Sequence, residues 1–227
     1  MARIEYLAKA LGLGIAVLFL LFPDLSQSIQ FAVFGLVLLL VGIPHGGIDH
    51  LIHNPDIRPQ GLVSFILRYL LLMLGYGLLW WFVPLAALIA FLGMSAYHFG
   101  QSHFLEQGKL ENREGLLYLL KGAFFLFLIL FGDWAMTQKI LSSMISLDLS
   151  EEFRLGILGF LLVSSLIAQG FSAKPFGLTD GLDYLILAPI LYFSPLLISF
   201  SVYFGFWHSL PSMLAEYAYL RNIPAFN

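Results

Sequence analysis

The stretch IQFAVFGLVLLLVGIPHGGIDH, residues 29–50, decides the fold class because an apolar run leads directly into ionisable side chains. His45, Asp49 and His50 stand near its end, and a pair of glycines follows His45. An Asp at bilayer depth costs about 2.5 to 3.5 kcal/mol on insertion scales, so such groups normally face a protein interior and mark a functional site. Glycine permits a local departure from the helix, which a bilayer tolerates only where protein or a cavity surrounds it. The stretch therefore predicts a membrane helix that carries a functional site.

The composition of the whole chain is that of an integral membrane protein. Of its 227 residues 59% are hydrophobic and only 11% are charged, whereas a soluble domain carries about 25% charged residues. The absence of cysteine excludes a disulfide framework and a thiolate metal site, so any metal must bind to histidine, carboxylate or water. The net charge of -3 and the scattered basic residues argue against nucleic acid as a partner.

The apolar segments predict a single all-α transmembrane domain over residues 1–227. A helix needs about 20 residues to cross the hydrocarbon core. We interpret the first segment as a retained span, because no small-residue cleavage site follows it. The last apolar block is too long for one span, and it breaks at Ser194-Pro195 because proline disfavours helix in the residue before it. We predict eight spans, at about residues 6–22, 29–52, 62–82, 84–104, 114–131, 153–171, 182–193 and 195–217.

The basic residues predict the orientation of these spans. Of the 11 Lys and Arg residues, only Lys139 and Arg154 fall on the side opposite to the others in the eight-span arrangement. Loops rich in Lys and Arg stay in the cytoplasm. We therefore expect both termini in the cytoplasm and a multi-pass protein of the plasma (inner) membrane.

The six histidines fall on only three of the predicted spans or their ends. His45, His98 and His208 lie about 16, 14 and 13 residues into parallel spans, which is about 20 to 24 Å of helical rise. Neutral imidazole suits Fe, Zn and Cu, and helical bundles hold metals with side chains of facing helices. The common depth therefore predicts a metal site. His53 lies in a polar loop, and we interpret it as a structural residue.

Two further histidines and one carboxylate lie close to these candidates. His50 follows His45 by five residues, and His103 follows His98 by the same interval. Five residues turn about 140° around a helix, so both members of a pair cannot face one ion unless the helix is distorted. Asp49 is one turn from His45 on the same face, where it can accept the imidazole N–H and fix its tautomer.

Aromatic residues flank the candidate histidines. They fit two interpretations, namely packing and lipid contact, or the wall of a pocket for a long apolar substrate. The residues predicted to line such a pocket are Tyr97, Tyr203, Phe204, Phe206 and Trp207.

Three stretches together resemble the motifs of one known family, the Brp/Blh membrane-bound β-carotene 15,15′-dioxygenases of bacteria and archaea. The resemblance implies a multi-span enzyme with a non-haem Fe(II) bound by histidines, which splits the central double bond of β-carotene with O₂ into two retinals. Retinal then typically serves a microbial rhodopsin. The family's iron-binding histidines match His45, His98 and His208. The stretches are Pro44-His45-Gly46-x-x-Asp49-His50, Tyr97-His98-Phe99-Gly100 and Phe206-Trp207-His208-Ser209.

The third stretch departs from the family pattern at one position. The pattern carries another iron-binding histidine one turn after the first, whereas this chain has Ser212. Three alternatives follow: His50 or His103 supplies the fourth ligand, a water molecule does so, or the activity is lost or altered. We also expect a typical member to continue into further hydrophobic sequence beyond the position of Asn227.

Other classes of protein share some of these features. A non-catalytic carotenoid-binding protein of the same fold is the main alternative, because of Ser212. A haem- or metal-binding membrane redox protein would need only paired axial ligands, such as His98 and His208. A membrane di-iron desaturase would need roughly eight clustered histidines, and six at these spacings argue against it.

Overall fold

A computed structural model describes residues 2–47, 59–104, 114–172 and 176–222 of the chain. Every regular element within these ranges is helical. Residues 43–47 are also helical and continue the second helix beyond its π-helical segment. The helices are α1 (Ala2–Leu21), α2 (Gln27–Val37), α3 (Pro59–Phe82), α4 (Pro84–Ser102), α5 (Gly115–Gly132), α6 (Trp134–Leu141), α7 (Glu151–Gly170), α8 (Leu178–Leu182), α9 (Ala188–Phe193), α10 (Leu196–Ser201) and α11 (Leu210–Leu220), with the π-helical segments π1 (Leu38–Gly42), π2 (Asp183–Leu187) and π3 (Val202–Ser209).

Local chemistry explains several helix ends. Ser150 caps α7 by accepting a hydrogen bond from the amide of Phe153. Two acidic residues occupy the first turn, where their negative charges interact favourably with the helix dipole. Pro84 starts α4 at a position where its missing N–H is harmless. Ser194 is extended and precedes Pro195, at the start of α10, so the predicted break in the last apolar block is confirmed.

Five of the described helices are long and apolar enough to cross a membrane. They match the first, second, third, fifth and sixth predicted spans. The last two predicted spans are divided by π2, π3 and the break at Ser194 into helices of 5 to 11 residues. The count of eight spans and the orientation of the termini stay predictions. The five helices cover Arg3–Leu21, Gln27–Gly47, Leu62–Phe82, Gly115–Gly132 and Glu151–Gly170.

Helix α5 forms the centre of the fold, and α3 lies at its periphery. In the apolar part of α5, 61% of the residues are buried, against 0% in α3. Helix α5 packs against α4, α7 and α9. Its contact with α4 is so close that a Cβ added at Gly100 would overlap the carbonyl of Tyr118, and one added at Gly122 would overlap the carbonyl of Ala96. Small residues permit such backbone contact between membrane helices. The exposed apolar surface of α3 fits a lipid-facing helix.

The π3 segment lies among α1, π1, α4 and α11. Two glycines allow this packing: a Cβ at Gly12 would lie 2.9 Å from the ring of Phe206, and one at Gly205 would lie 2.5 Å from Val37. The fold thereby brings π3 next to the helices that carry His45 and His98. Single π-helical turns frequently occur at functional sites.

Candidate metal centre

Three histidines from distant parts of the sequence meet in the structure. His45 follows π1, His98 lies on α4 and His208 lies on π3. Each can offer one ring nitrogen such that the three atoms lie within 4.8 Å of one another. The ring centroids of His98 and His208 are 4.5 Å apart, and those of His45 and His208 are 5.3 Å apart. These are the three residues that the sequence places at one depth.

Two of these imidazoles are buried with unused nitrogens. His208 is 1% exposed and His45 is 8% exposed, whereas His98 is exposed. Both ring nitrogens of His208, and Nδ1 of His45, have no hydrogen-bond partner among the described residues. Buried polar atoms are nearly always hydrogen-bonded, so such atoms need an explanation. Imidazole nitrogens that converge in this way fit a transition-metal cation such as Fe, Zn or Cu.

A carboxylate that was not predicted from the sequence lies beside this triad. Oε2 of Glu216 is 3.7 Å from Nδ1 of His45, and the two side chains are only 20% and 10% exposed. Oε2 of Glu216 also has no hydrogen-bond partner among the described residues. The signal was present in the spacing, because Glu216 follows His208 by eight residues, or about two helical turns.

Ser212 lies midway between His208 and Glu216 along the same helix. It is 6% exposed, and Pro211 before it falls in the first turn of α11, where proline is tolerated. Residues four apart share a helix face. His208, Ser212 and Glu216 therefore belong to one face of the last helical stretch.

A line of aromatic rings leads away from the triad. The ring of Phe204 is 5.9 Å from that of His208, Phe200 stacks on Phe204 at 5.4 Å, and Phe34 contacts Phe200 at 5.9 Å. Phe99 contacts the ring of His208 at 4.8 Å and also lies beside Phe204 and Phe200, at 6.2 and 6.4 Å. The far end of the line borders a cavity of about 190 Å³ whose lining, from α2, α5, α6 and α10, is mainly apolar. Of these residues only Phe204 was predicted from the sequence to line a pocket.

The other predicted pocket residues have different surroundings. Tyr97 is 39% exposed and contacts the ring of Tyr118, while Phe206 packs against Gly12. Tyr203 and Trp207 are buried and form hydrogen bonds away from the triad. Phe204 is thus the predicted wall residue whose ring contacts the triad.

His103 belongs to a separate buried network. In the neutral ring, Nδ1 donates to Oδ2 of Asp183 at 2.9 Å, and Nε2 accepts from the hydroxyl of Tyr203 at 3.0 Å. The indole N–H of Trp207 donates to the other oxygen of Asp183 at 3.0 Å. Both nitrogens of His103 are therefore engaged, and His103 lies outside the triad. His50, His53 and Asp49 lie outside the described residues.

Comparison with known proteins identifies the family of the chain. The family model described as β-carotene 15,15′-dioxygenase matches residues 36–224. The chain belongs to this family. A curated β-carotene 15,15′-dioxygenase from an uncultured marine bacterium, 66A03, is 35% identical over 72 residues. That match covers 30% of this chain and 26%, about a quarter, of the relative's length. No solved structure matches the chain.

The β-carotene 15,15′-dioxygenase match encloses the whole centre. All six histidines and Glu216 fall within residues 36–224. The first helix, α1, lies before the matched range, although it packs against π3.

Proposed function

We propose that this chain cleaves the central double bond of β-carotene with O₂ at an Fe(II) ion held by His45, His98 and His208, and releases two retinals. The observation that carries the proposal is the convergence of these imidazoles in a member of this dioxygenase family, two of them buried with nitrogens that have no hydrogen-bond partner among the described residues. In the balanced reaction one carbon–carbon double bond is broken, and each new aldehyde takes one atom of O₂.

The side chains have separate tasks in this proposal. Iron, when bound, supplies the activation of O₂. The three histidines hold the ion, and Asp49 orients His45 by accepting its second ring N–H. The protein otherwise positions the polyene and excludes water from the reacting bond.

The aromatic line supports a long apolar substrate. Phe204, Phe200 and Phe34 extend from His208 to the apolar cavity, which gives a continuous surface for a conjugated chain. Phe99 packs against both His208 and Phe204 and thereby holds the imidazole in position. We propose that one half of the carotenoid lies along this line, and that the product reaches the bilayer and then a retinal-binding protein such as a microbial rhodopsin.

Ser212 favours a second candidate, a carotenoid-binding protein of this fold that does not cleave its ligand. Ser212 stands where the family pattern has a metal-binding histidine, and a serine hydroxyl is a weaker ligand than imidazole for these metals. The two candidates share the substrate and differ in the reaction.

One experiment separates the two candidates. The full chain is produced in cells that accumulate β-carotene, with and without O₂, and retinal and residual β-carotene are measured in the membranes. The dioxygenase proposal predicts O₂-dependent loss of β-carotene with two retinals per molecule. Carotenoid that copurifies with the protein without any retinal would instead favour the binding protein.

A further inference from the structure

We infer that Glu216 is the fourth ligand of the metal centre and supplies the carboxylate that accompanies the three imidazoles. This inference rests on the proposed binding of a metal ion by His45, His98 and His208. It assigns the fourth position to the residue one turn beyond Ser212.

The distance between Glu216 and His45 fits two ligands of one ion better than a hydrogen bond. Oε2 of Glu216 and Nδ1 of His45 are 3.7 Å apart, beyond the 2.7 to 3.2 Å of an N–H···O hydrogen bond. This 3.7 Å separation is shorter than the 4.8 Å within which the ring nitrogens of the triad lie, so the carboxylate oxygen is as close to His45 as the nitrogens of the triad are to one another. Both atoms are buried, and neither has a hydrogen-bond partner among the described residues.

Charge leads to the same assignment. Within the described ranges the ion pair of Glu216 is the one with His45, and no Lys or Arg side chain lies within ion-pair distance of its carboxylate. A carboxylate in a half-buried site needs a cation, because an uncompensated buried charge is strongly destabilising. Three neutral imidazoles leave both charges of a divalent ion uncompensated. One carboxylate neutralises half of that charge. The ion would thus supply the cation that Glu216 needs, and Glu216 would supply the negative charge that the ion needs.

The helix register explains why position 216 takes this role. Ser212 and Glu216 follow His208 at intervals of four residues, so all three share one face. Successive members are separated by about 6 Å along the helix. The serine side chain at position 212 is too short to extend beyond its own helical turn. The glutamate side chain at position 216 is long enough to extend back toward the preceding turn, and its carboxylate lies beside His45.

Metal titration of the purified full-length protein tests the inference without using activity. Apoprotein in detergent is titrated with Co²⁺, and bound metal and the visible ligand-field spectrum are recorded for wild type and Glu216→Gln. We expect Glu216→Gln to weaken Co²⁺ binding by more than the roughly 10- to 100-fold that follows removal of an outer-shell partner, and to change the ligand-field spectrum, because a charged ligand is replaced by a neutral amide. Glu151→Gln is the matched control, since Glu151 is exposed at the start of α7.

The failures of the two proposals are distinguishable. If wild type binds one Co²⁺ and Glu216→Gln binds it with the same affinity and the same spectrum, Glu216 is not a ligand, and the triad stands alone. If wild type and Glu216→Gln both bind no Co²⁺ or Fe²⁺ while the protein is folded, the metal centre itself is wrong. A Ser212→His variant adds a second check: restored affinity in Ser212→His/Glu216→Gln would place positions 212 and 216 at the same ion, whereas no rescue would count against that placement.

Discussion

His208 and His103 are both buried histidines, and they differ in what satisfies their nitrogens. His208 is 1% exposed, and neither of its nitrogens has a hydrogen-bond partner in the part of the chain that the structure describes, whereas the side chain of His103 is 4% exposed and both of its nitrogens are hydrogen-bonded. Leaving a buried polar group unpaired costs free energy. The protein itself supplies the partners of His103, whereas His208 is left for a ligand. The difference separates a structural histidine from a candidate metal ligand more sharply than depth in the membrane does.

The two histidines are nevertheless mechanically linked. Tyr203 and Trp207, which form hydrogen bonds in the network of His103 and Asp183, lie on π3 together with His208. The network therefore holds the helical segment that carries His208. A buried ion pair between Lys121 and Asp180, 2.6 Å apart, anchors α5 to α8 in the same part of the protein. We infer that the hydrogen-bonded network around His103 keeps His208 in position.

The largest effect that this comparison predicts is on the retinal yield of His208→Ala. The variant should produce no retinal in cells that accumulate β-carotene, because the central imidazole of the triad is lost. Its abundance in the membrane should stay close to that of wild type, since the variant loses ring contacts but no hydrogen bond of His208 within the described residues. Retinal yield and the amount of tagged protein are measured in the same membranes. A yield near that of wild type would remove His208 from the centre.

The next effect is on the stability of His103→Ala. Removal of the imidazole leaves one oxygen of Asp183 and the hydroxyl of Tyr203 without their partner. We expect a loss of about 2 to 3 kcal/mol in the free energy of unfolding, because a buried charged acceptor becomes unsatisfied. Equilibrium unfolding in mixed detergent measures it. The variant should still bind metal with its full stoichiometry. Loss of metal from a folded His103→Ala would contradict the assignment of His103 as a structural residue outside the metal centre.

A smaller effect is expected at Gly42, which makes room for an aromatic neighbour of His208. A Cβ at Gly42 would lie 2.8 Å from the ring of Phe204, so Gly42→Ala must displace that ring. We expect about a tenfold loss of cleavage from substrate misplacement, with metal binding unchanged. Gly35→Ala is the matched control on α2, because no neighbouring atom of the described residues lies within 4 Å of its added Cβ. Equal cleavage rates in the two variants would argue against a substrate path along Phe204.

The smallest effect is expected for His53→Ala. His53 lies in a polar stretch of the sequence, and we interpret it as structural. Retinal yield and metal content should both stay within the error of the wild-type values. A clear loss of metal would require a fourth histidine in the centre.

Much of the fold follows from local properties of the sequence. Hydropathy and length predict the five long apolar helices, and Ser194-Pro195 predicts the break before α10. Helical rise alone places His45, His98 and His208 at a common depth, and the structure brings these residues together. The π-helical segments π1 and π3 were not predicted from hydropathy and spacing; they pack against each other, and π3 also packs against α1, which are contacts between distant parts of the sequence.

The surroundings of the site depend on contacts between distant residues, which hydropathy and spacing do not contain. His103 and Asp183 are 80 residues apart, so nothing in the sequence shows that the ring of His103 is already satisfied. The contact of Phe34 with Phe200 is equally remote. Glu216 is different, because its interval of eight residues from His208 was visible. The carboxylate of Glu216 lies one turn beyond Ser212, the position at which the family pattern has a histidine.

The iron content of the purified protein tests the central claim most directly. Wild type, His208→Ala and His103→Ala are purified in detergent under anaerobic conditions, equilibrated with Fe²⁺ and desalted, and iron per chain is measured. We predict about one iron per chain for wild type and His103→Ala, and almost none for His208→Ala, because a centre of several ligands binds tightly and fails when one is removed. No iron in wild type, or equal iron in all three proteins, would contradict a metal centre at His45, His98 and His208.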